Sequence, residues 1–158
     1  MDHPVDFVAW ADEQAAILRR LNETRVNDVD ALDLERLAED VQEMADVKRD
    51  HLRSALSRIV EHLLKLVHSP DVDLRRGWRV SVAEHRSRAE TLLDDSGTLR
   101  AEVLPSMVPR AWSTGRKLAV KGLQIYGHDA VDVPADCPWT LDQILDDAFE
   151  PANRHGLV

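Results

Sequence analysis

The sequence predicts an all-α chain, four-helix-bundle-like, with a long central helix and a short C-terminal helix. Three observations lead there. Apolar residues recur at three- and four-residue steps through most of the chain, the spacing of one helix face. Residues 31–68 contain neither Gly nor Pro. Short breaks separate the periodic stretches, namely an acidic run over 22–30, Ser69-Pro70, Ser96-Gly97, and a Gly-, Asp- and Pro-rich segment over 126–138.

The first helix is expected over residues 5–22, with Phe7, Trp10, Ala11, Gln14, Ile17, Leu18 and Leu21 on one face. Asp6, Asp12 and Glu13 lie early and Arg19 and Arg20 late, which suits the helix dipole. Asp30 is the expected N-cap of the second helix, residues 31–68. Its stripe is Leu34, Leu37, Ala38, Val41, Ala45, Leu52, Ala55, Leu56, Ile59, Leu63 and Leu66. From Ala55 onward Val60, Leu64 and Val67 widen the stripe, so this part is expected at the centre, with apolar surface left over for a partner. A bend near residues 46–51 would fit so long a rod into a compact domain.

Pro70 ends that helix. A third follows from Asp71 or Leu74 to Leu93, lined by Trp78, Val82, His85, Ala89, Leu92 and Leu93. Thr98–Glu102 reads as a short helical turn. Pro105 and Pro109 predict a kink over 103–110, before a fourth helix to residue 125 carrying Ala111, Trp112, Leu118, Ala119 and Leu123. Thr140-Leu141-Asp142-Gln143 is a capping box that starts a last short helix. Residues 1–149 are thus expected as one helical domain of mostly antiparallel neighbours, and residues 150–158 as a flexible tail.

Composition narrows the function. The 158 residues are 44% hydrophobic and 31% charged, which is globular. No apolar run reaches ~18 residues, so no membrane span is expected. The acidic start differs from a secretory signal. The one cysteine, Cys137, fits a reducing cytoplasm. The net charge is −9, which argues against general nucleic-acid binding. That charge is uneven: residues 1–47 carry 13 acids and 4 bases, whereas residues 48–90 carry 10 bases and 6 acids. The acidic part is expected to pack beside the basic middle.

Several motifs run through the chain in order: Asp6-Phe7-Val8-Ala9-Trp10 with Gln14; Leu37-Ala38-Glu39-Asp40-Val41 with Glu43-Met44; His62-Leu63-Leu64-Lys65; Trp78 with Glu84 and Arg86; and Cys137-Pro138-Trp139-Thr140-Leu141-Asp142-Gln143-Ile144-Leu145. Together they resemble the bacterial family "domain of unknown function 29". The resemblance implies a small helical protein without an assigned activity or a catalytic residue list. Members often have Glu-Thr before the Gly-Leu that closes the fourth helix, and here Val120-Lys121 stand before Gly122-Leu123.

Candidate chemistry is limited. Glu39, His62 and Glu84, joined for a metal by His85, are the candidates for a carboxylate–histidine site between the second and third helices. Neither Glu-x-x-His nor His-Glu-x-x-His spacing occurs. The plainer reading of His62 is a half-buried ring donating to a carbonyl or carboxylate, with Lys65 snorkelling beside it. Glu39 with Arg86 or Arg79 is an expected interhelical ion pair. Cys137, before the last helix, is either a thiol activated by the helix N-terminus or a small apolar plug. Arg75, Arg76 and Arg79 around Trp78 are candidates for a phosphate ligand or nucleic acid, against a plain basic helix start. No cofactor is expected. The leading reading is a small non-enzymatic cytoplasmic interaction or regulatory protein that binds a protein partner or itself. The alternatives are a metal-binding or hydrolytic enzyme and a weak nucleic-acid or phosphate binder.

Overall fold

A computed structural model describes residues 6–24 and 33–158. The helices among them are α1 (Phe7–Glu23), α2 (Leu34–His68), α3 (Val72–Asp94), α4 (Gly97–Glu102), α5 (Val108–Ile125) and α6 (Leu141–Leu145), with a π-helical turn, Val103–Met107, joining α4 to α5. No described residue is in a strand.

Capping fixes most boundaries. Asp33 accepts from Arg36 N at the start of α2 and Asp71 from Asp73 N at the start of α3. The expected cap Asp30 lies outside the described residues. Thr140 and Gln143 form the capping box expected for α6. Asp6 does more than cap α1. Its carboxylate accepts from Val8 N and Ala9 N, and also from Thr98 N and Ser96 Oγ at the start of α4. Burial opposes ionisation there, but the hydrogen bonds from Thr98, Ala9 and Ser96 outweigh it and hold Asp6 at about 2. The kink expected at Pro105 is a π turn instead. Its wider ring tolerates a residue with no N–H, so the chain stays helical from α4 into α5. Pro109 stands in the first turn of α5, and the residues one turn back, Leu104 and Pro105, are exposed, so solvent can serve the carbonyl that loses its donor.

Helix α2 is unbroken over 35 residues, roughly 52 Å of rod. Asp12 of α1 meets Gln42 and Arg49, and Arg19 meets Glu35, so α1 runs antiparallel along the first half of α2. Ser81 of α3 meets His62, and Arg75 meets Leu66, so α3 runs antiparallel along the second half. Gly115 of α5 abuts Ser57 and Gly122 abuts Lys65, so α5 runs parallel to α2, unlike the antiparallel neighbour expected. At the junction, Arg49 binds Asp12, Asp46 and Glu102 together.

The two halves differ. Before residue 50 only Leu34, Ala38 and Ala45 of α2 are buried, whereas from Leu52 on twelve residues are. The wide apolar arc of residues 55–67 therefore leaves no surplus. Leu56, Ile59, Val60, Leu63, Leu64 and Leu66 are all essentially inaccessible, because α3 and α5 cover both flanks. In α1 the face turned to α2 is Val8, Ala11 and Ala15, and the bulkier Ile17 and Leu18 stay half-buried on its side. The acidic part does meet the basic middle, through Asp12 and Arg49.

The C-terminal segment is not loose, contrary to expectation. Asn153 donates to the carbonyls of Leu66 and Ser69, and Arg154 N donates to Val67 O. These carbonyls belong to the last turn of α2 and its cap, where intrahelical donors run out. The tail supplies them.

Two glycines give opposite expectations. A Cβ on Gly115 would stand 2.5 Å from the Ser57 carbonyl oxygen and 2.8 Å from Val60. Gly115→Ala should cost about 1–3 kcal/mol in urea unfolding despite alanine's better helix propensity. Gly77 has nothing within 4 Å of its Cβ position, so Gly77→Ala should stabilise by up to about 1 kcal/mol.

Candidate functional site

The fold separates the carboxylates from the histidines. Glu39 is exposed on the first half of α2, and His62 lies 23 residues further along, roughly 35 Å on the helix axis. Glu84 is exposed on α3. The grouping of Glu39, His62 and Glu84 therefore does not assemble. Among the described residues, no three or more His, Cys, Asp or Glu side chains stand close enough to hold a metal ion.

His62 and His85 do come together, through Ser81. Ser81 Oγ lies 3.4 Å from Nδ1 of each ring. His62 Nδ1 is 2.9 Å from Arg58 O and His85 Nδ1 is 2.8 Å from Ser81 O. Both rings thus face a carbonyl of the preceding turn, the plainer reading expected for His62. Burial pushes His62 below the ordinary histidine range.

Lys65 departs from the snorkelling expected of it. It is buried, and its Nζ donates to Glu61 at 2.6 Å, while Glu61 also accepts from Arg58 at 2.7 Å. Gly122 makes room, since a Cβ there would stand 2.6 Å from Lys65 Cε. Burial works against Glu61 carrying a charge, but Lys65 and Arg58 hold its pKa below the usual range. The sequence signal was present in the four-residue step from Glu61 to Lys65. Its burial was not.

The α3 arginines bind the C-terminal segment. Arg75, 2% exposed, donates to Leu66 O and Glu150, and Arg79 makes two hydrogen bonds to the same carboxylate. Arg86 donates to Ile144 O and Phe149 O. No pair joins Glu39 to Arg79 or Arg86; both arginines are committed elsewhere. Of the phosphate candidates, Arg75 is buried, Arg79 is held by Glu150 and Arg76 is exposed, so the three do not form one cluster. Near this segment a cavity of about 350 Å³ is lined by Leu63, Val82, Arg79, Arg86 and Phe149 among others. Cys137 is half-buried, and its thiol donates to Trp139 O at 3.3 Å. Burial pushes the thiol up, the opposite of an activated nucleophile.

Surface not accounted for by these contacts lies on the first half of α2. Leu37, Met44 and Val47 are 38%, 52% and 44% exposed. Val41 lies half-buried beside them. At about 100° per residue the three exposed side chains share one flank of the helix, next to the side that α1 covers. The sequence pattern places Leu37 in the core stripe and Met44 only in a family motif, and it gives Val47 no role.

A family model described as "Domain of unknown function DUF29" matches residues 3–150. An α-helical protein of unknown function from Rhodospirillum rubrum has a similar solved structure, with a TM-score of 0.74 and 23% sequence identity, covering 94% of this chain and 93% of that one. That likeness concerns the fold. No curated protein matches.

The histidines at the two ends of this region set a pH dependence. His68 is buried, with Nδ1 3.5 Å from Arg154 Nη1. Burial first, and then the Arg154 charge, lower its pKa, as burial does for His62. Folding therefore favours the neutral rings, and the unfolded chain takes up protons first. That stability is fully present above about pH 6.5 and is lost as pH falls through the lowered folded values. The urea midpoint should fall between about pH 7 and pH 5, and His62→Gln with His68→Gln should flatten that fall. An unchanged slope in the double variant would refute the assignment.

Proposed function

The chain belongs to the DUF29 family, whose description names no activity, and from that premise we propose that it is a small cytoplasmic interaction protein that associates with a second copy of itself. The exposed apolar flank of Leu37, Met44 and Val47 carries this reading. Apolar side chains gathered on one helix flank mark association surfaces, whereas scattered ones do not.

The packing of the α1–α2 arm supports a second copy as the occupant. The arm interior is largely Ala11, Ala15, Ala38 and Ala45, which bury little area. Ile17, Leu18 and Val41 remain half-covered. A two-fold axis crossing α2 near residue 50 would lay the α1–α2 arm of each copy against the second half of α2 and α5 of the other, covering Met44 and Val47. Stable association needs about 1,200–2,000 Å² of total buried surface, more than the flank of about 15 Å from Leu37 to Val47 offers by itself, so α1 and α5 would share the contact. The lone free cysteine supports a reducing compartment. The wide separation of Glu39 from His62 favours binding over carboxylate–histidine catalysis. No described helix is long and apolar enough to cross a membrane.

Sedimentation of the purified chain tests the reading. The expected species at about 50 μM is a dimer, and Met44→Glu with Val47→Glu should give a monomer of unchanged helicity. A wild-type chain still monomeric at about 200 μM would overturn it, since association weaker than that leaves no stable dimer.

A further inference from the structure

Helix α5 carries Arg110, Arg116, Lys117 and Lys121 and no acidic residue, in a chain whose net charge is −9. Arg116 turns inward and donates to Pro134 O and Val133 O. Arg110, Lys117 and Lys121 are exposed. At about 100° per residue they fall within roughly 40° of arc and span about 16 Å. Among the described residues, none of the three makes an ion pair. They form an unneutralised basic stripe.

The first half of α2 has the opposite character. Glu35, Glu39, Glu43, Asp46 and Asp50 fall within roughly 80° of arc, over about 22 Å. Glu35, Asp46 and Asp50 have partners in Arg19, Arg49 and Arg53, and Glu39 and Glu43 have none among the described residues. Ser57, where Gly115 of α5 rests, continues the same arc. So α5 covers this side of α2 only in its second half and leaves the carboxylate stripe bare. The stripe adjoins the apolar flank of Met44 and Val47.

We propose that the Arg110–Lys117–Lys121 stripe of one copy docks on the Glu39–Glu43 stripe of a second copy, and reciprocally, so that two equal charge contacts set the register of the association. This rests on the self-association reading above and names the surface that directs it. The basic stripe, about 16 Å long, fits within the acidic one of about 22 Å and opposes it in sign, and a two-fold axis uses each of them once per copy.

A charge exchange tests it. One variant carries Arg110→Glu, Lys117→Glu and Lys121→Glu; the other carries Glu39→Lys and Glu43→Lys. Each alone should self-associate at least about tenfold more weakly than wild type in sedimentation, because like charges then face each other. Mixed one to one, they should form a heterodimer within about tenfold of wild-type affinity, since both contacts are restored in reversed sense. Circular dichroism checks helicity, and Gln at the same positions replaces any variant that loses it, with weakened association still expected. A wild-type dimer that persists in both variants, while Met44→Glu with Val47→Glu dissociates it, overturns this proposal and leaves the self-association reading standing. A wild-type chain that never associates overturns both. Binding of a DNA or RNA oligonucleotide that is lost with the α5 variant, with no heterodimer on mixing, assigns the stripe to a polyanion and overturns the proposal.

Discussion

The length of α2 governs the rest of the molecule. A rod of roughly 52 Å cannot be covered by one layer of helices that are half to two-thirds as long. The neighbours divide it instead, α1 along the first half and α3 with α5 along the second. Where the two sets meet, a single guanidinium, Arg49, joins α1, α2 and the end of α4 through Asp12, Asp46 and Glu102. Bidentate geometry of this kind fixes orientation as well as adding energy, so it is well suited to holding two packing units in register. Asp6 does related work nearby, since one carboxylate caps α1 and α4 together.

The second half of the rod is finished by polar contacts rather than by more apolar surface. Three guanidiniums on α3, those of Arg75, Arg79 and Arg86, bind the segment from Ile144 to Glu150. Asn153 then satisfies the end of α2. Burying a guanidinium is expensive, the more so for Arg75, whose Nε is buried without a partner, so such contacts specify one arrangement of the segment more than they stabilise it. The Glu61–Lys65 pair beneath Gly122 follows the same rule, as the buried lysine is acceptable because a carboxylate and a missing side chain both stand beside it.

The helices were legible because their signals are local. Pro70, the Asp71 cap and the Thr140–Gln143 box act within a few residues, and each marks a boundary in the structure. Parallel packing of α5 was not legible, because it depends on how the chain crosses between elements. Burial of charge was not legible either. Arg75 and Arg76 are neighbours of identical type, yet Arg75 falls on the buried face of α3 with Trp78 and Val82 and is enclosed, while Arg76 is exposed, and the acceptors that make this burial possible, Leu66 O and Glu150, lie on other parts of the chain. The apolar arc of residues 55–67 shows the opposite error. Its width was read correctly, but the number of helices available to cover it was not. The exposed flank instead falls where the stripe is narrow and alanine-rich, because small residues draw α1 close and leave the longer side chains outside.

Self-association of a chain with net charge −9 must overcome repulsion between copies. That repulsion acts over long distances and is largely screened beyond about 8 Å at physiological ionic strength. Contacts between opposed stripes act at hydrogen-bond range, where mobile ions intervene least. The two scales therefore separate. In the proposed association, apolar burial around Met44 and Val47 would supply the affinity, since exposed ion pairs contribute little of it. The proposed stripe contact would then supply selectivity: a copy approaching in the wrong register would set carboxylates of the arm against carboxylates of its partner, and the register that brings α5 over Glu39 and Glu43 would relieve them.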